Sequence, residues 1–132
     1  EFDARAVVAT DLDMDGRPDL LVGRYDTQTF AFQLHILRNQ SASNGNWIGV
    51  RLKDVLGRSV LGAVVKVKAG DRIWSRQVIT GDSFTAQHPA IVHFGLGALS
   101  KVDSIEVRWP DGKVKQVEKP ELGQYHLVEF QD

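Results

Sequence analysis

Hydrophobic and polar residues alternate along most of this chain, and the period is two. In the second half, Ile48, Val50 and Leu52 fall on one side while Trp47, Arg51 and Lys53 fall on the other. Ala63, Val65, Val67 and Ala69 alternate against Lys66 and Lys68, and Ile105, Val107 and Trp109 against Glu106 and Arg108. Residues 73–79, 114–117 and 125–130 complete the set. Period two places successive side chains on opposite faces of a strand, and turn signals recur between the runs, so the pattern predicts a β-sandwich or barrel-like module. Trp109-Pro-Asp-Gly-Lys113 is a turn in which proline presets one φ and glycine takes the positive one. A single helical candidate, residues 96–102, offers at most a turn or two.

The first part of the chain is patterned differently. Val7-Val8-Ala9 leads into an acidic loop, Leu20-Leu21-Val22 leads out of it, and a third apolar stretch spans residues 30–37. Gln40-Ser-Ala-Ser-Asn-Gly-Asn46 is polar, small and contains glycine, which makes it the best linker in the chain. Two parts are therefore expected: residues 1–45 with the acidic loop, and residues 46–132 as a β domain. The fold class is all-β.

Composition narrows the functional classes. The 132 residues carry a formal net charge of -1, with 42% hydrophobic and 25% charged residues, a balance that suits a globular chain with a core. No basic field exists to drive nucleic-acid binding, and no apolar run approaches the ~20 residues of a membrane-spanning helix. With no cysteine in the chain, disulfides and thiolate chemistry are excluded.

The loop Asp11-Leu-Asp-Met-Asp-Gly-Arg-Pro-Asp19 carries the sharpest chemical signal, four carboxylates in nine residues. Asp11, Asp13 and Asp15 occupy positions 1, 3 and 5, Gly16 permits a sharp turn at 6, Arg17 offers its carbonyl at 7, and Asp19 stands at 9. Oxygen ligands converging in this way suit a hard cation, and a flexible cage suits Ca²⁺ better than Mg²⁺. A bound Ca²⁺ relieves the crowding and takes the formal charge from -1 to +1. An EF-hand would need a glutamate at position 12, where this chain has Val22, and helices on both sides. The expectation is a calcium loop joining two strands, acting as a staple.

Other candidates read more blandly. Ser83 with His88 and Asp82 invites a hydrolase, but no G-x-S-x-G surrounds the serine, and a polar turn is the simpler account. His35, His88, His93 and His126 lack the spacing of a zinc site. Trp47, Trp74 and Trp109 are candidate ligand-stacking residues for a glycan or protein partner, set against the commoner role of core packing.

Two resemblances attach to these motifs. Residues 4–39, with "ATDLDMDGRPDLLVGRYD" and "HILRNQ", resemble one FG-GAP/VCBS-type repeat, the unit of calcium-bearing β-propellers. No second acidic loop is present and one blade cannot close a propeller, so this reading takes the chain as the C-terminal piece of a longer protein. "NWIGVRL", "GAVVKV", "GDSFTAQ", "HFGLG" and "VDSIEVRWPDGKV" together resemble the ASPIC/UnbV domain. Asp82 departs from the small residue common at its place. The resemblance implies an extracellular or periplasmic setting and no enzymatic reaction.

Overall fold

The computed structural model describes residues 2–42, 45–53, 59–79, 81 and 83–130. Among the described residues, ten strands run in chain order: β1 (Phe2–Thr10), β2 (Asp19–Asp26), β3 (Ala31–Leu37), β4 (Asn46–Lys53), β5 (Val64–Ala69), β6 (Arg72–Gln77), β7 (Ile91–Gly97), β8 (Ser104–Arg108), β9 (Val114–Glu118) and β10 (Tyr125–Glu129). Among the described residues they form three sheets, with no closed barrel and no helix. The fold is all-β, as the alternation predicts.

Residues 96–102 are not helical. Leu96 continues the inward set of Val92 and Phe94 on β7 and is buried with them, and the strand runs on to Gly97. Leu96 thus belongs to a period-two series whose other members lie upstream.

Two compact units share the chain, Glu1–Ser43 with Thr80–Pro89, and Asn44–Ile79 with Ala90–Asp132. In the first, β1, β2 and β3 form an antiparallel meander. The outer edge of β1 is met by side chains of the 80–89 segment. Ser83 Oγ accepts the N–H of Val7 at 3.0 Å, and His88 Nε2 accepts that of Ala9 at 3.4 Å. These N–H groups lie two residues apart and face the same side of the strand, where an edge would otherwise be open to another chain. The face of β3 that carries Phe32, Leu34 and Ile36 is exposed.

The second unit is sandwich-like. One sheet has the order β10-β4-β7 and the other β6-β5-β8-β9. The inward residues of β4 (Ile48, Val50, Leu52) join Val65, Val67, Phe94, Ile105, Val107 and Val128 in one core. Register matches large apolar residues across strands: Val65 faces Val107, and Val67 faces Ile105. β10 pairs with β4 in parallel, Tyr125 opposite Gly49, so the last strand of the chain closes against the first strand of this unit. Burial of this alternating set removes most of its apolar surface from water, which is the principal stabilising effect here.

Candidate metal centre and its surroundings

The acidic loop connects β1 to β2. Its backbone turns through left-handed conformations at Met14 (φ 59) and Gly16 (φ 86). Glycine takes the second without the steric cost a side chain would bring. The turn aims backbone N–H groups inward. Asp11 accepts those of Asp15 at 3.0 Å and Gly16 at 2.8 Å, one on each oxygen. Asp15 Oδ1 accepts the N–H of Arg17 at 2.9 Å.

This folding gathers three carboxylates. One ligand oxygen from each of Asp11, Asp13 and Asp15 lies within 4.8 Å of the others, the one such acidic group among the described residues. Two arginines share the cluster. The Arg17 guanidinium pairs with Asp15, its Nε at 3.0 Å from Oδ2, and Arg38, just beyond β3, pairs with Asp13. The bond from Arg17 holds the Asp15 carboxyl below its usual range, and Asp15 in turn raises Arg17 above its own. Arg17 therefore enters the loop through its side chain, a contact that the predicted use of its carbonyl did not foresee.

Asp19 has a different position. It is buried at 3% exposure, on the first residue of β2. Its Oδ1 accepts the N–H of Asn39 at 2.7 Å and its Oδ2 that of Leu12 at 3.2 Å. It ties the start of the loop and the end of β3 to the same carboxylate. Asn39 adds a bond from Nδ2 to the carbonyl of Pro18 at 3.2 Å. Neither role was read from the sequence, since both depend on β3 returning beside β2. The signal was Asn39 itself, a polar residue at the end of an apolar strand.

The tryptophans take three different places. Trp109 is in the core at 4% exposure, edge-on to Phe130, and its Nε1 is buried with no hydrogen-bond partner. That leaves its ring no open face for a ligand. Trp74 is half-buried and packs against the core. Trp47 is half-buried on the outer face of β4, stacked on His93 at 5.2 Å between ring centroids and tilted against Tyr125 at 5.0 Å. Tyr125 Oη and His93 Nδ1 are 3.2 Å apart. The Tyr125 ring lies directly over Gly49, where an added Cβ would stand 2.0 Å from a ring carbon.

Ser83 and His88 are brought to the same strand, but each is engaged with the backbone of β1. Asp82, the third residue of the hydrolase reading, lies outside the described residues.

Residues 56–132 match the family described as ASPIC and UnbV. The chain belongs to this family. It is also 33% identical over 110 residues to cartilage acidic protein 1 of Homo sapiens, and 32% identical over the same length to that of Mus musculus. The Xenopus tropicalis protein is 31% identical over 108 residues. The human alignment covers 81% of this chain and 16% of the relative, so the chain spans about a sixth of the length of the relatives it matches.

Proposed function

We propose that this chain is a non-catalytic, calcium-stabilised interaction module of an extracellular or periplasmic protein. The observation that carries the reading is the convergence of Asp11, Asp13 and Asp15 in the loop between β1 and β2. The donor set is all oxygen, which fits a hard cation. Ca²⁺ would supply positive charge at the point where three carboxylates meet and hold the β1–β2 connection in one geometry. The residues do the rest. Asp11 organises the turn through two backbone N–H groups, and Asp19 closes it onto β3. Arg17 and Arg38 offset the acidic charge, and binding of the ion requires their guanidinium groups to share Asp15 and Asp13 with it.

A loop of this kind between strands of a three-stranded meander supports the FG-GAP/VCBS-type reading of residues 4–39. Membership of the ASPIC and UnbV family, with relatives named for cartilage, supports an extracellular setting and a protein or glycan partner. Engagement of Ser83 and His88 in holding β1 supports a structural role for both over a hydrolytic one. Calorimetry on chelator-stripped protein should find about one Ca²⁺ site and much weaker Mg²⁺ binding. Asp13→Ala should abolish it, and saturable binding that survives this substitution contradicts the proposal.

A further inference from the structure

The geometry points to Asn39 as an acceptor for an N-linked glycan. Asn39-Gln-Ser41 is an Asn-x-Ser triplet whose middle residue is not proline. The triplet follows β3 in a segment without regular structure, with Asn39 half-buried and Gln40 and Ser41 exposed. The side chains are already arranged for the chemistry. The Ser41 hydroxyl donates to Asn39 Oδ1 at 2.7 Å, and the Ser41 N–H donates to the same oxygen at 3.1 Å. Two donors on the carboxamide oxygen draw electron density from the amide nitrogen and make its protons easier to lose.

An asparagine amide has two N–H bonds. One is given to Pro18, so a sugar that replaces the other leaves the attachment to the loop intact. In the transfer, the anomeric carbon of a lipid-linked oligosaccharide diphosphate breaks its bond to the phosphate oxygen and bonds to Nδ2. One amide proton passes to a base of the transferase, and the lipid diphosphate leaves with the electron pair of the broken C–O bond. The glycan then stands at the exit of the acidic loop, on the residue that Asp19 and Pro18 hold. This inference rests on the extracellular reading above.

The test routes the full chain, with a secretory leader, through cells that carry out N-glycosylation. The secreted protein is treated with peptide N-glycosidase in ¹⁸O water and the Asn39 peptide is read by mass spectrometry. The expected result is a glycan at Asn39, released as ¹⁸O-labelled aspartate. It should be lost in Ser41→Ala, which keeps Asn39 and its bond to Pro18, and kept in Ser41→Thr, which retains a hydroxyl. Secreted protein with Asn39 unmodified overturns the inference, as does a glycan that persists in Ser41→Ala. Calcium binding by the same secreted sample separates the two proposals: intact binding with a bare Asn39 defeats the glycan alone.

Discussion

The carboxylate of Asp19 accepts the backbone N–H of Asn39 at 2.7 Å, across 20 residues of chain, while its second oxygen accepts that of Leu12. One buried side chain thus joins the loop entrance, the start of β2 and the exit from β3.

Replacing Asp19 by asparagine keeps the size but substitutes an amide donor for one of the accepting oxygens. One of the two N–H groups then loses its partner in a buried site. Hydrogen bonds to charged groups contribute roughly 1.5–3 kcal/mol each, so Asp19→Asn should destabilise the β1–β3 meander by about that amount. Hydrogen exchange at Leu12 and Asn39 measures it, and unchanged protection at both sites would remove Asp19 from this role.

A second expectation concerns Gly49. An alanine Cβ there would lie 2.0 Å and 2.2 Å from carbons of the Tyr125 ring, which is itself wedged against Trp47 and His93. The ring must move or the strands must part. Overpacking of this kind typically costs about 1–3 kcal/mol, and Gly49→Ala should lower the denaturant midpoint of the second unit accordingly. The double variant Gly49→Ala with Tyr125→Ala should recover part of the loss, because it removes the obstructing ring.

Acid should weaken both units. The N–H groups of Gln28, then Thr29, hold the Asp26 carboxyl low, and Lys53 does the same for Glu129 across β4 and β10. A folded-state value below the unfolded one means that the contribution to stability is fully present above the unfolded pKa. It is lost as pH falls through the folded one. Thermal midpoints should therefore decline below about pH 4, the ordinary carboxylate range. Asp26→Asn and Glu129→Gln should each flatten the decline, and equal acid slopes in wild type and variants would contradict the assignment.

The strands of the second unit were legible because each has one buried face: Ile48, Val50 and Leu52 announce β4 by alternation alone. The parallel partnership of β4 with β10 was not, since local pattern carries no information about pairing across more than 70 residues. Residues 96–102 misled for a related reason. Leu96, the last inward residue of β7, and Leu99 beyond the strand mimic the i, i+3 spacing of a helix. In the acidic loop, the spacing of Asp11, Asp13 and Asp15 announced their convergence, which is set within one turn of chain. The inward reach of Arg38 and the latch of Ser83 and His88 on β1 depend on segments brought back from afar, and no local motif encodes them.

The central claim, that calcium holds the β1–β2 loop and stabilises the meander, is tested most directly by hydrogen exchange with and without chelator. An ion bound only to the folded loop stabilises it by mass action, and exchange reads that stabilisation segment by segment. The predicted result is a loss of protection across residues 4–39 on calcium removal, with the core strands of residues 47–130 largely unchanged. Protection at 4–39 that is the same with and without the ion would contradict the account.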